Sequence, residues 1–330
     1  MLSVFYFIFD RDAIFKKREK QTPIRPDATP QIAPLSKWLL DYTNHLGDWL
    51  DKPESAKAVD TFSNNPEYTV FQYVQPDRGW KTLNDFFSRM VKPEYRPIAP
   101  RYTVASPCNA KFDLYKPISG DGDVDFSGTI SLKGFKWPIS KLLADTGLGE
   151  TFKNGIFMHF FLLPNNYHRV HAPVSGDLIK RKTIPGDVYL EVEADEKKGR
   201  LRPIPRFMEP PKNNFDNVRA LDTPGYQWNQ VRGMWVFDTD KQDDTKIGKV
   251  VLFAVGMAQI SSVKFDKSPE GKPYKDVGEI IQKDEEIGYL KYGGSDYILL
   301  FEKDKVEFND NTPKNGCLYL QGAALVSKKF

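Results

Sequence analysis

Apolar positions follow two different periods along the chain. Leu35, Trp38, Leu39, Tyr42, Leu46, Trp49 and Leu50 recur at three- and four-residue spacing, which predicts an amphipathic helix whose apolar stripe faces a core. A second helix is signalled by Thr82 as N-cap with Asp85 three residues on, carries Phe86, Phe87 and Met90 on its apolar side, and stops before Pro93 and Pro97. Beyond Val104 the apolar runs are short and broken by Gly, Pro, Asn and Asp, the texture of strands, with one further helix around Ile139 to Leu143. Helices first and strands after predict an α+β fold: N-terminal helices followed by a β-rich core.

Two stretches lack a period. Lys16 to Pro34 is charged and punctuated by prolines, an irregular lead-in, and Glu193 to Asn229, with Pro203, Pro205, Pro210, Pro211 and Pro224, reads as a long surface loop or lid. Near the C-terminal end, Ile287–Tyr292 and Tyr297–Glu302 flank Gly293-Gly294-Ser295-Asp296, which reads as strand, tight turn, strand with the serine in the turn. A hydroxyl held there can attack the carbonyl of Gly294, since glycine leaves the approach open and tolerates unusual backbone angles. An N-to-O acyl shift, β-elimination and hydrolysis would then leave a pyruvoyl group on residue 295. Read alone, the same four residues also make an ordinary turn.

The composition supports a folded chain and narrows its partners. With 330 residues, 40% hydrophobic and 13% aromatic, a substantial core is available. A net charge of +3 is too weak a balance to indicate nucleic acid. Two cysteines, Cys108 and Cys317, exclude a disulfide framework and a cysteine zinc site, as a reducing compartment would allow. The apolar start Met1–Phe9 is far short of the roughly 20 residues that span a bilayer and is expected as an edge strand or buried start.

Of four histidines, His159, His168 and His171 fall close together, the last two beside Tyr167 and Arg169. Residues three apart on a strand point to opposite faces, so His168 and His171 are expected to have separate tasks. Either imidazole could take a proton from a serine near neutral pH. A structural pair or a metal site fits the same letters, although no carboxylate or thiol stands at a ligand spacing. The stretch Val170–Leu178 with Pro185-Gly186-Asp187 has the look of a lipoyl carrier hairpin but lacks the exposed lysine of one.

Together these pieces resemble the phosphatidylserine decarboxylase family of pyruvoyl enzymes, over roughly Trp80 to Glu307. The likeness runs through Lys81-Thr82-Leu83-Asn84-Asp85-Phe86-Phe87-Ser88-Arg89, Ala105-Ser106-Pro107-Cys108-Asn109-Ala110, Asn166-Tyr167-His168-Arg169-Val170-His171-Ala172-Pro173, Ile184-Pro185-Gly186-Asp187 and Tyr292-Gly293-Gly294-Ser295. The resemblance implies an N-terminal helical region over 1–79, a decarboxylase domain over 80–330, and a proenzyme that cuts itself between Gly294 and Ser295 into a large and a small chain. It implies a covalent pyruvoyl cofactor made from Ser295, no metal, His171 as the base that activates Ser295, and His168 in the substrate pocket. The family's usual substrate is phosphatidylserine, decarboxylated to phosphatidylethanolamine. A soluble decarboxylase of a free amino acid such as tryptophan, suggested by Gly256–Ser262, and an unprocessed non-enzymatic relative are the alternatives. Cytoplasmic location with peripheral membrane contact, through a helical start bearing Trp38 and Trp49, and a homo-oligomer are compatible with it.

Two positions depart from the family pattern. Asn109 stands where an Asp commonly orients the base histidine, and Asp296 where Thr or Ser usually follows the cleavage serine. In serine hydrolase triads the Asp-to-Asn exchange costs on the order of 10⁴ in rate. Asp296 or Asp113 is therefore expected to supply negative charge beside His171, with Tyr167 as an auxiliary.

Overall fold

The computed structural model describes residues 4, 5, 7, 33–120, 129–132, 135–144, 146–188, 192–197, 199–203, 226–242, 245–256, 263–308 and 313–330. The chain is α+β, with helices before a β-rich core. Its centre is an eight-stranded antiparallel sheet. The six long strands are β1 (Ala110–Pro117), β2 (Ile156–Leu162), β3 (Gly176–Ile184), β4 (Arg232–Asp238), β5 (Lys249–Gly256) and β6 (Ser295–Phe301). They run in the order β3-β4-β5-β6-β2-β1, with Ile280–Ile281 beyond β3 and Leu318–Tyr319 beyond β1.

Both faces of this sheet are covered, so the central strands are apolar on both sides. One face carries Met158, Phe160, Trp235, Leu252, Tyr297 and Leu299; the other carries Phe157, Val236, Phe253, Ile298 and Leu300. Against the first packs a small antiparallel sheet of Val263–Lys264, Glu286–Leu290 and Arg169–His171, through Val170, Val263, Ile287 and Leu290. Against the second pack the short helix Ile139–Leu142 and the turn Tyr226–Trp228.

The turn expected around Gly293 joins two sheets instead of closing a hairpin. Glu286–Leu290 pairs with Arg169–His171, whereas β6 lies between β5 and β2, so the two flanks never pair with each other. Ser295 is the first residue of β6 and not a turn residue. The physical reason is burial: Tyr297-Ile298-Leu299-Leu300-Phe301 needs cover on both faces, which a two-stranded ribbon cannot give.

Helix α1 (Pro34–Leu50) forms where its period predicts, but it buries Leu35, Leu39, Thr43, Gly47 and Leu50 and leaves Trp38 and Trp49 exposed. Helix α2 (Leu83–Phe87) begins as expected, with the Thr82 hydroxyl accepting from the Asp85 amide at 3.0 Å. It ends before its prolines. Met90 is exposed, whereas Ser88 and Arg89 beyond the helix are buried. The two helices share a small apolar cluster, Leu50 of α1 and Leu83 and Phe86 of α2 packing with Val59 and Tyr68 from the segment between them and with Tyr292 alongside. The buried Ser36 hydroxyl adds a hydrogen bond of 2.8 Å to the Asp187 carboxylate.

Val4, Phe5 and Phe7 are helical rather than an edge strand, and the Phe5 ring stacks on Tyr42 at 5.0 Å. The presumed loop from 193 begins with a hairpin, Val192–Asp195 against Arg200–Pro203, and ends in the turn Tyr226–Trp228; residues 204–225 lie outside the described residues. Residues 257–262, read as a sign of free amino-acid substrates, lie outside them too. Among the described residues no helix is long and apolar enough to cross a membrane.

Candidate active site

Ser295 and His168 meet because each sits at the start of a strand, Ser295 as the first residue of β6 and His168 just before Arg169–His171, and the two sheets are stacked. Side chains alternate along β6, so Ser295 shares the face of Tyr297 and Leu299, the face that the histidine strand covers. Both residues are fully buried, and Ser295 Oγ lies 3.3 Å from His168 Nδ1. The other ring nitrogen, Nε2, lies 3.0 Å from the Leu163 carbonyl. A carbonyl only accepts, so Nε2 carries the proton and Nδ1 presents a lone pair to the serine hydroxyl.

The surroundings hold that imidazole neutral. Its ring stacks on Phe87 with centroids 3.9 Å apart, and burial, followed by the positive charge of Arg89, pushes its pKa down to about 3. Arg89 is itself buried. Its guanidinium donates to the carbonyls of Asn165 at 2.9 Å, Asn166 at 3.3 Å and Phe86 at 3.2 Å, and lies 4.2 Å from the centre of the Tyr73 ring. It thereby ties α2 to the turn that supplies the Leu163 carbonyl, a turn closed by the Asn166 side chain accepting from the Leu163 amide at 2.8 Å.

The peptide ahead of the serine is also held. Asn84 of α2 accepts from the Tyr292 amide at 3.1 Å while donating to Asp51 at 2.8 Å. Gly293 then adopts φ 151°, outside the range comfortable for residues with a side chain. Gly293 and Gly294 bring no Cβ next to the bond that Ser295 faces.

His171, expected beside Ser295, is engaged elsewhere. Its Nδ1 lies 2.7 Å from the Asp284 carbonyl and its Nε2 2.9 Å from the Tyr167 hydroxyl, so the ring donates to the first and accepts from the second. The nearest carboxylate is Asp284, with Oδ1 at 3.8 Å; burial raises the pKa of that carboxyl. Asn109 touches neither imidazole. Its Oδ1 accepts from the Gln321 amide at 2.9 Å and from Arg96 Nε at 3.3 Å, and the Gln321 side chain in turn donates to the Asp284 carboxylate. Asn109 reaches His171 only through that relay. The sequence reading missed Asp284, Gln321 and the Leu163 carbonyl, which no local pattern marks. Arg89 and Phe87 stood inside the motif with no role attached.

Asp113 and Asp296 do not serve His171; both flank His159. Asp296 follows Ser295 by one residue and so points to the opposite face of the sheet, the face that His159 of β2 shares with Phe157. Asp113 sits at an irregularity in the β1–β2 register between Phe112 and Leu114, which turns its side chain to the same place. His159 Nδ1 lies 2.9 Å from Asp113 Oδ2 and Nε2 3.2 Å from Asp296 Oδ2. The Gln227 amide nitrogen is 2.8 Å from Nε2 and 3.2 Å from Asp296 Oδ2. Burial opposes the imidazolium, but the Asp296 charge and the hydrogen bond to Asp113 outweigh it and raise the His159 pKa to about 9.

A pKa raised above the unfolded value of about 6.5 stabilises the fold fully below pH 6.5, and that contribution is lost as pH rises through about 9. Denaturant titrations should therefore show stability declining between pH 7 and 10. The decline should be smaller in His159→Gln, which has no proton to lose; an unchanged slope would contradict the charged state.

Comparison with known proteins places the chain among relatives of one kind. A sequence model described as phosphatidylserine decarboxylase matches residues 83–325. The rice (Oryza sativa subsp. japonica) protein named phosphatidylserine decarboxylase proenzyme 2 is 31% identical over 296 residues, 88% of this chain and 41% of that protein. Phosphatidylserine decarboxylase proenzyme 3 of Schizosaccharomyces pombe is 28% identical over 286 residues, 85% of this chain and 25% of its own length. The phosphatidylserine decarboxylase proenzyme of Fusobacterium nucleatum is 27% identical over 290 residues, 86% of this chain and 82% of its own. The chain thus spans less than half of the two eukaryotic relatives and most of the bacterial one.

Proposed function

The chain belongs to the phosphatidylserine decarboxylase family, and we propose that it is a self-processing, pyruvoyl-dependent carboxy-lyase that converts phosphatidylserine to phosphatidylethanolamine with release of CO2. The observation that carries the self-processing is the Ser295–His168 contact, with the tautomer set by Leu163. His168 Nδ1 takes the hydroxyl proton as Ser295 Oγ adds to the Gly294 carbonyl carbon. The peptide C–N bond breaks, its nitrogen takes a proton, and Gly294 is left as an ester on Oγ. Removal of the Cα proton of residue 295 expels the Gly294 carboxylate and leaves a dehydroalanine. Water then displaces its nitrogen as ammonia. The products are residues 1–294, ending in a carboxylate, and residues 295–330, beginning with a ketone. A buried serine facing a neutral imidazole and preceded by two glycines suits that conversion. The pyruvoyl group would supply a carbonyl that joins the substrate amine and draws off electrons as CO2 leaves.

In this reading His168 is the base, and His171, tied to Tyr167 and Asp284, holds the histidine strand in place. The relatives' names support the lipid substrate. So does α1: Trp38 and Trp49 are eleven residues apart, close to three whole turns, and both stand exposed on one side of it. Indole rings on the outer face of a surface helix suit a lipid interface, with the chain lying on the membrane.

Intact mass of the purified protein tests the processing, and phosphatidylserine vesicles compared with free serine and tryptophan test the substrate. Two fragments, the smaller blocked by a ketone, and ethanolamine lipid from the vesicles are expected. A single uncut chain would overturn the self-processing; amine formed only from free amino acids would overturn the lipid substrate.

A further inference from the structure

Cleavage as proposed above severs β6 from Gly294 at its own first residue. The nitrogen of residue 295 leaves as ammonia, so the new terminus has no N–H for either neighbouring strand. Asp296 becomes the first residue with a complete amide. Its side chain enters the second buried cluster, on the face of the sheet away from His168. Four elements converge there: Asp113 from β1, His159 from β2, Asp296 from β6 and Gln227 from the turn Tyr226–Trp228. His159, Asp296 and Gln227 are fully buried, and Asp113 is 11% exposed.

We propose that the Asp296–His159–Asp113 cluster positions the cleaved enzyme: it clamps the second residue of the small chain so that the carbonyl cap at 295 stays where the serine hydroxyl was. The inference rests on the self-cleavage reading. Before cleavage the peptide bond to Gly294 holds the end of β6, and the Asn84 bond to Tyr292 steadies the approach, so the position of residue 295 depends less on the clamp. After cleavage it is the first side-chain anchor beyond the reactive group. Alternation keeps these side chains away from the reacting atoms, so they are positioning residues. With the ring charged, Nε2–H donates to Asp296 Oδ2 and Nδ1–H to Asp113 Oδ2. Removing one member of a buried ionic group leaves the others uncompensated, which makes the cluster sensitive to a change of charge without a change of shape.

The test compares Asp296→Asn and His159→Gln in two backgrounds, the self-cleaved protein and the uncut Ser295→Ala chain. Hydrogen exchange at residues 296–299 should quicken in both backgrounds, but about tenfold more in the cleaved one than in the uncut one, the difference of roughly one charge-assisted hydrogen bond. Turnover of the cleaved variants should fall in kcat with KM little changed. Asp113→Asn, altered at the partly exposed end, gives the same comparison if His159→Gln does not fold. Equal acceleration in both backgrounds, or none in either, overturns the clamp while leaving self-cleavage intact. A wild-type chain that never cuts overturns both.

Discussion

His168→Gln is expected to slow the appearance of the two chains by about 10³-fold, whereas His171→Gln should slow it by less than about tenfold. Cell-free translation followed by a chase on a denaturing gel would measure both. The difference follows from which ring nitrogen holds a free lone pair next to the serine. His168 Nδ1 does, at 3.3 Å, because the Leu163 carbonyl accepts from the protonated Nε2. In His171 the corresponding nitrogen already accepts from Tyr167. The pH dependence should separate them further. Because burial, then Arg89, holds the His168 pKa near 3, cleavage should stay flat from pH 8 down to about 5, without the usual imidazole inflection near 6.5. Stability carries the opposite sign to that of His159. A lowered histidine pKa costs nothing above pH 6.5, and stability is lost as pH falls from there toward 3. If His171→Gln abolishes cleavage and His168→Gln leaves it intact, the base assigned here is wrong.

Arg89→Met should have the second largest effect, about 3 kcal/mol off the folding free energy and about a tenfold slower cleavage, read from denaturant midpoints and the same chase. Methionine keeps much of the volume between the Tyr73, Tyr68 and Phe86 rings, so the loss isolates the guanidinium. The carbonyls of Asn165 and Asn166 lose the guanidinium as donor, and the Phe86 carbonyl is left with backbone N–H donors alone. The turn that carries the Leu163 carbonyl then loosens, and with it the tautomer of His168. Loss of the positive charge also lets the His168 pKa rise, so cleavage in the variant should weaken toward acid pH sooner than in the wild type. A variant that is destabilised but cleaves with the wild-type rate and pH profile would leave Arg89 a purely structural role.

The elements with strong local signals were legible in the residues. Thr82 caps its helix as its hydroxyl and the following Asp85 predict, and the period through Leu35, Leu39 and Leu50 marks α1. Errors arose where partners come from distant segments. The run Tyr297–Phe301 is apolar at every position, the mark of a strand covered on both sides, yet the glycines before it suggested a hairpin. Ser295 and the histidines were recognisable as chemistry, but their pairing was not. It depends on the Leu163 carbonyl and on which sheet covers which face. Asp113 and Asp296 face His159 and not His171 for the same reason: β6 begins at Ser295, and a one-residue step along it already changes the face.

If residue 295 becomes the carbonyl cap as proposed, its place on a strand that has a neighbour on each side would make the break permanent in covalent terms and invisible in mechanical ones. The shorter piece cannot depart without tearing the middle of the molecule, so the two pieces should melt as one cooperative unit and not trade between molecules. Nor could a cell make the same catalyst from two separate genes, since a ribosome starting at that point would deliver an amine where a ketone is needed. On that proposal the uncut chain is the template on which the reactive group would be made in its final seat.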